Sequence, residues 1–335
     1  MSFKSPVVNS SLAMGAHKVL ITSSGTGSAV NAIRALRHMD PAIEILASDT
    51  DPSAPGLFLA DKTFLVPRFD SPLFAKKLFE IADREGEVLC LPTFSGEIKW
   101  FAKHAALLKE NGIHTFLPSH EAVNVCDNKW EFWNFAKKLE IMVPEVLFCS
   151  GLLEFTPDPL NFPLFAKKIE GSGSRFAMPL HSMEEFNFYT ASHSDLLIQK
   201  LIKGYEVTVD VFCDHSGRVR AASARKRMAV KSGQSVKGVT IAVEPFMAII
   251  EHICGRLQLR GASNFQFIVN EKPYLIEVNP RFAAGGLMLS VHAGVNIPAL
   301  CVEAMLDSAP AAFPMRRGQE GLCMTKYWNE FVYQS

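Results

Sequence analysis

The stretch Tyr274-Leu275-Ile276-Glu277-Val278-Asn279-Pro280-Arg281 runs an apolar strand into a carboxylate, a carboxamide and a guanidinium on alternate positions. Side chains of a strand alternate between its faces. Glu277, Asn279 and Arg281 are therefore expected together on one face, with Ile276 and Val278 entering the core. Hard oxygen ligands beside a fixed cation suit a magnesium ion holding a polyphosphate, and the arginine would neutralise charge on a transferring group.

Working outward, residues 264–269 form a strand that a hairpin at 270–272 returns through Glu277, which brings Gln266 toward Glu277 and Asn279. One carboxylate and two carboxamides make a weak magnesium site that nucleotide phosphates would complete. A buried polar network at a sheet end is the plainer alternative. Further alternating strands at 206–213 and 218–228, with helices at 244–257 and 298–306, predict an antiparallel sheet covered by helices. Arg225, Lys226, Arg227 and Lys237, with a mobile-looking Ser232-Gly233-Gln234, make a basic region that equally suits a solvated strand edge. The small residues at 282–286 are expected to leave room for a substrate.

Residues 145–202 read as a compact strand–loop–strand–helix–strand unit. The strand 162–168 carries Lys167 near its end and leads into the turn Gly171-Ser172-Gly173-Ser174. A lysine beside a flexible small-residue loop can surround phosphate oxygens with N–H groups and one ammonium, although a plain hairpin has the same composition. No Gly-Lys-Ser/Thr opens a helix here, so this is not a Walker A loop. The strand 196–199 then enters Gln199-Lys200-Leu201-Ile202, a connector whose backbone can meet an adenine edge. Glu206 follows as a candidate acceptor for ribose hydroxyls; a surface hairpin is the alternative.

Between residues 18 and 117, short apolar runs at 19–22, 43–47, 63–66, 88–91 and 115–117 alternate with helical segments at 29–38, 72–84 and 98–109. That alternation predicts a doubly wound parallel sheet. A further amphipathic helix is expected over 127–140. Ser24-Gly25-Thr26-Gly27-Ser28 after the first strand, with Asp49 ending the next, resembles half of a dinucleotide fingerprint. The third glycine is missing, because Val30 and Asn31 occupy its neighbourhood, so a nicotinamide-dependent oxidoreductase is the weaker rival.

The 335 residues balance 34 Lys and Arg against 34 Asp and Glu, which argues against a nucleic-acid or membrane-surface binder. Seven cysteines without a C-x-x-C pair read as reduced thiols, and ten histidines without metal-ligand spacing suggest no zinc. No apolar run reaches the roughly 18 residues a membrane span needs. Residues 1–16 read as a flexible lead, with Met14 as an alternative start, and the expected location is cytoplasmic.

Taken in order, the Asp127-Asn128-Lys129 helix start, the strand ending in Lys167, the Gly171–Ser174 loop, Gln199…Glu206, Gln266 and Glu277-Val278-Asn279-Pro280-Arg281 resemble the ATP-grasp superfamily. The likeness is to its carbamoyl-phosphate-synthetase-like and carboxylate–amine ligase branches, and it spans nearly the whole chain from Lys18. It implies an α/β pre-ATP-grasp domain over 17–117, a small lobe over 118–202 with its lid at about 145–200, and a large lobe with the metal site over 203–335. It further implies that Lys129 and Lys167 contact ATP phosphates while Gly171, Ser172, Gly173 and Ser174 close over them. Gln199, Lys200, Leu201 and Ile202 would bracket the adenine, Glu206 would hold the ribose, and Gln266, Glu277 and Asn279 would bind Mg²⁺, with Mn²⁺ as a substitute ion. Arg281 and Lys167 would act on the phosphoryl group, with Arg225 contacting the γ-phosphate or a substrate carboxylate.

Two departures stand out. Many relatives carry an acid where Gln266 stands, and the connector reads Gln-Lys where Gln-Glu is more frequent. The implied activity is an ADP-forming ligase that joins a small carboxylate to an amine through an acyl-phosphate. Carboxyphosphate or carbamate chemistry is the alternative within the resemblance, which also allows a homodimer. No glutaminase-like segment is present, so ammonia from glutamine would need a partner.

Overall fold

The computed structural model describes residues 17–171, 176–306, 314–327 and 329–333. Its amino-terminal part runs β1 (Lys18–Ile21), α1 (Gly27–Met39), β2 (Glu44–Asp49), β3 (Lys62–Leu65), α2 (Phe74–Glu85), β4 (Val88–Leu91), α3 (Ser95–Lys103), α4 (Ala105–Glu110) and β5 (Ile113–Thr115). The strands form one parallel sheet in the order β3-β2-β1-β4-β5. Near-continuous apolar runs such as Val88-Leu89-Cys90-Leu91 are what a sheet covered on both faces requires. The expected single helix over 98–109 is two, with His104 between them out of helical conformation.

The helix expected over 127–140 is α6 (Lys129–Lys138), and a further helix, α5 (His120–Asp127), precedes it. Asn128 sits between them with extended backbone, and its Oδ1 accepts from the N–H groups of Trp130 (3.1 Å) and Glu131 (3.0 Å). An N-cap asparagine satisfies helix donors that otherwise lack partners. Asn128→Ala should therefore destabilise the protein by about 1 kcal/mol, read as a lowered denaturant midpoint with an unchanged m-value.

A four-stranded antiparallel sheet follows, from β6 (Val146–Cys149), β7 (Leu164–Lys168), β8 (Ala177–Leu180) and, after α7 (Met183–Ser192), β9 (Leu196–Lys200), in the order β6-β9-β7-β8. The last sheet contains β10 (Tyr205–Cys213), β11 (Val219–Lys231), β12 (Gln234–Ile241), β13 (Gly261–Asn270) and β14 (Lys272–Asn279), with α8 (Glu244–Leu257) between β12 and β13. After α9 (Leu287–His292) and α10 (Ile297–Leu306), β15 (Arg316–Arg317) and β16 (Cys323–Thr325) add to it. The chain is thus a parallel-sheet α/β domain followed by antiparallel sheets.

Three local expectations need correction. Ser232-Gly233, expected as a mobile-looking segment, forms a defined turn: both residues have positive φ (49° and 74°) and close the tight hairpin between β11 and β12, with Lys231 opposite Gln234. β12 itself, with Lys237 in it, is a strand that the sequence reading did not separate from the basic region. Finally, Ile276 does not enter the core. The β13–β14 register shifts between Gln266↔Glu277 and Phe267↔Leu275, so Ile276 is the extra residue of a bulge, and Leu275 and Val278 are the buried pair.

Six of the seven cysteines are buried, all seven are free, and among the described residues no helix is long and apolar enough to cross a membrane.

Candidate active site

The large sheet has one apolar and one polar face. Val207, Val209, Ala224, Phe265, Phe267, Leu275 and Val278 turn one way, into a core shared with α8 and α6. Residues paired directly across antiparallel strands share a face, and the opposite face carries two polar rows. One row is Arg225–Thr208–Gln266–Glu277, and the next is Ser223–Asp210–Asn264–Asn279. Pairing therefore assembles residues from four strands, some separated by more than fifty positions in the chain, on one surface.

The end of β14 is tied into a chain of hydrogen bonds. Asn279 Nδ2 donates to Glu277 Oε1 at 2.9 Å, and Arg281 Nη2 donates to Asn279 Oδ1 at 3.4 Å. Asn264 Nδ2 donates to the Arg281 carbonyl at 2.9 Å, and Arg281 Nε donates to Ser95 Oγ at 3.0 Å. Burial lowers the Arg281 pKa against the opposing pull of Glu277 and Asp127, which keep the cation in place.

Ser95 comes from the amino-terminal domain. In the order β3-β2-β1-β4-β5 the connections reverse between β1 and β4, and the crevice at the carboxyl ends of those strands is where open α/β sheets bind ligands. Ser95 lies at that crevice and meets Arg281. The switch-point rule was the signal in the sequence that could have singled it out.

The dinucleotide reading loses ground here. Asp49 Oδ2 accepts from the Gly25 N–H at 2.7 Å, so the carboxylate expected on a ribose holds the protein's own loop. The same loop is covered on one side by the turn Pro55–Leu59, where a Cβ on Gly56 would lie 2.4 Å from the Ser24 carbonyl oxygen. On the other side Ser28 Oγ donates to Phe282 O at 3.1 Å.

From the four-stranded sheet, Lys167 is buried in the cleft, 7% exposed. Burial pushes its pKa down to about 8; Glu277 across the cleft opposes that shift and Lys129 adds to it. Lys129, first residue of α6, donates from Nζ to the Gly171 carbonyl at 2.9 Å. Ser172, Gly173 and Ser174 lie outside the described residues. A narrow pocket runs back from these lysines, walled by Trp133, Val146, Leu197, Gln199 and the bulged Ile276. Lys200 leaves this wall to pair with Glu145 at 2.7 Å, and Leu201 and Ile202 are half-buried in the connector to β10. Glu206 is exposed at the start of β10, where Oε2 pairs with Arg227 Nη1 at 2.7 Å.

The two arginines of the basic region have different surroundings. Arg227 Nη1 reaches Gln266 Oε1 at 3.4 Å, and its other nitrogens are held by Ser235 Oγ (3.2 Å) and the Gly233 carbonyl (2.8 Å). Arg225, expected in the catalytic set, is 2% exposed and ion-paired with Asp210, which also accepts from Ser290 Oγ at 2.6 Å. It lies under Gly286, where a Cβ would stand 2.0 Å from its Nε, and a Cβ on Gly285 would stand 2.4 Å from the Ser235 nitrogen. The small residues at 285–286 therefore admit the protein's own arginine and backbone, where room for substrate was expected.

The donor set can be tested against magnesium. Glu277 uses Oε1 on Asn279, Gln266 Oε1 takes a long bond from Arg227, and both residues are directly opposed across β13 and β14. Among the described residues no group of three or more His, Cys, Asp and Glu side chains could hold a metal ion. One carboxylate with two carboxamide oxygens fits Mg²⁺ when phosphate oxygens fill the remaining positions.

Comparison with known proteins agrees with this architecture. Residues 19–116 match the family model described as PylC-like, N-terminal domain, and residues 192–326 match the one described as ATP-grasp in the biosynthetic pathway with Ter operon. The carbamoyl phosphate synthase large chain of Clostridium botulinum is 23% identical over 303 residues, covering 84% of this chain and 27% of that one. That of Pyrococcus furiosus is 26% identical over 218 residues, covering 61% and 21%. The chain thus spans about a quarter of the length of these relatives. Among solved structures, the biotin carboxylase domain of Hydrogenobacter thermophilus 2-oxoglutarate carboxylase with MgADP superposes with a TM-score of 0.69 at 18% identity, over 89% of this chain and 71% of that one. The L-amino acid ligase of Bacillus licheniformis gives 0.66 at 14% identity over 87% and 74%. N5-carboxyaminoimidazole synthetase of Staphylococcus aureus with ADP gives 0.67 at 12% identity over 91% and 80%. Two sheets facing each other across a lysine-lined cleft, with a parallel-sheet domain closing one end, give the chain the ATP-grasp fold of these structures, and its residues 192–326 match an ATP-grasp family model.

Proposed function

We propose that the protein is an ADP-forming ligase that activates a small carboxylate with ATP and joins it to an amine. The observation that carries this reading is the convergence of Lys167, Glu277, Asn279 and Arg281, from two sheets, with Ser95 at the start of α3 in the amino-terminal domain, on one cleft. Among the described residues no side chain there is arranged as a nucleophile with its base. Phosphoryl transfer needs little covalent help from protein, because positioning and neutralisation of charge supply most of the acceleration.

In this scheme the nucleotide base enters the pocket beside Trp133, Gln199 and Ile276, and the phosphates run toward Lys129 and Lys167. Gln199, Lys200, Leu201 and Ile202 frame the base, Glu206 takes the ribose, and the 171–174 loop covers the phosphates. Gln266, Glu277 and Asn279 would hold Mg²⁺, which when bound screens the charge of the polyphosphate. A carboxylate oxygen attacks the γ-phosphorus as the bond to ADP breaks, giving an acyl-phosphate whose oxygen is now a good leaving group. The amine attacks the acyl carbon, phosphate departs and the amine loses a proton. Arg281, fixed by Asn279 and Ser95, faces the charge that develops on the transferred group. The substrates in this reading are small molecules, the setting is the cytoplasm, and a homodimer is compatible with it.

Incubation with ATP, Mg²⁺ and pairs of candidate acids and amines, read by phosphate release and mass spectrometry, tests the proposal. The expected result is ADP, phosphate and a product whose mass is the sum of both substrates less one water. Release of AMP, or ATP-independent turnover of a nicotinamide cofactor, would refute it.

A further inference from the structure

Beyond Arg281, the joint between the large sheet and the amino-terminal domain gathers cations, two of which no carboxylate offsets among the described residues. Lys326, just past β16, is fixed by its backbone N–H on Val236 O (2.9 Å), and its Nζ has one polar contact among the described residues, the Ala284 carbonyl at 3.4 Å. A lysine ammonium carries three donors, so two are left unspent. The same carbonyl accepts from Asn31 Nδ2 of α1 at 2.8 Å. Arg34 follows three residues later on the helix face that presents Asn31, and forms no ion pair among the described residues. Burial first, then the nearby Arg225 and Arg34, holds the Lys326 pKa below the ordinary lysine value. Arg225 is balanced by Asp210, although its Nε is buried without a partner. Lys326, half-buried, and Arg34, exposed on α1, remain as like charges at this joint, an arrangement that an incoming anion stabilises.

We propose that Lys326 and Arg34 receive an anionic oxygen group, a carboxylate or phosphate, carried by the amine substrate. The inference rests on the ligase reading for the identity of the molecule, but binding of the anion is independent of turnover. Ala284 is three residues past Arg281, at most about 11 Å of extended chain. An amine with an acidic group a few bonds away would therefore place its nitrogen near the activated acyl carbon. Amino acids and phosphorylated amines fit this class, whereas ammonia and simple alkylamines do not.

The test uses the full-length protein with its lysines reductively ¹³C-methylated, the Lys326 resonance being assigned by its loss in Lys326→Arg. Wild-type protein is titrated with an L-amino acid mixture, the matched amino-acid amides, inorganic phosphate and, at equal ionic strength, chloride. Saturable movement of the Lys326 resonance by the amino acids or by phosphate, but not by the amides or chloride, is expected, and the responding arm identifies carboxylate or phosphate. Arg34→Gln should weaken that titration about ten-fold, the worth of one charge-assisted hydrogen bond. A Lys326 signal that answers to none of these, or equally to chloride, overturns the inference. Product formation from amino amides at undiminished KM overturns it while leaving the ligase reading in place. Saturation at Lys326 with no ADP formed from any substrate pair supports the pocket and removes the ligase reading.

Discussion

Glu277→Ala is expected to reduce ATP turnover by about 10³-fold while leaving the protein folded. The carboxylate is half-buried, and its hydrogen bond comes from Asn279 of the same strand. Its removal leaves one side-chain amide to find water, a cost of about 1 kcal/mol, so far-UV circular dichroism should be unchanged and the melting temperature only a few degrees lower. The catalytic loss is larger because Glu277 is the sole carboxylate in a donor set completed by Gln266 and Asn279, and because it faces the buried Lys167 across the cleft. Glu277→Gln keeps an oxygen in the same place without its charge, and should lose nearly as much. Measured phosphate release within ten-fold of wild type in either variant would remove Glu277 from the metal role.

What the sequence made legible here follows from periodicity. Glu277 and Asn279 share a face because strand side chains alternate, and the parallel sheet follows from five short apolar runs separated by helices. The Ile276 bulge has no such signature: an isoleucine in a strand is as apolar when it lines a cleft as when it fills a core. The two arginines were equally opaque. Arg225 and Arg227 are two positions apart on one face of β11, and what separates their roles is Asp210, fifteen residues earlier and next to Arg225 only once β10 pairs with β11. Lys326 was passed over for a similar reason, since its significance depends on a carbonyl at Ala284 and an arginine on α1, both remote in the chain.

Lys167→Met should raise the KM for ATP by about 100-fold and at the same time stabilise the protein at neutral pH. Both effects come from one burial. With a folded pKa near 8 against about 10.5 unfolded, the charged lysine costs the folded state about 3 kcal/mol below pH 8. From pH 8 to 10.5 the unfolded chain binds more protons than the folded one, so wild-type stability should rise across that window, and the methionine variant should show no such rise. ATP inverts the preference. Its phosphates favour the ammonium, so above pH 8 nucleotide binding must recruit a proton, and affinity should fall by up to about ten-fold per pH unit. Calorimetric titration of ATP at pH 8.5 in buffers of different ionisation enthalpy would measure that uptake directly. Wild-type affinity flat from pH 7 to 10, or an unchanged ATP response in Lys167→Met, would show that the buried lysine does not meet the phosphates. A lysine that only filled the core would give the stability change alone, whereas one held ready for a triphosphate must give both.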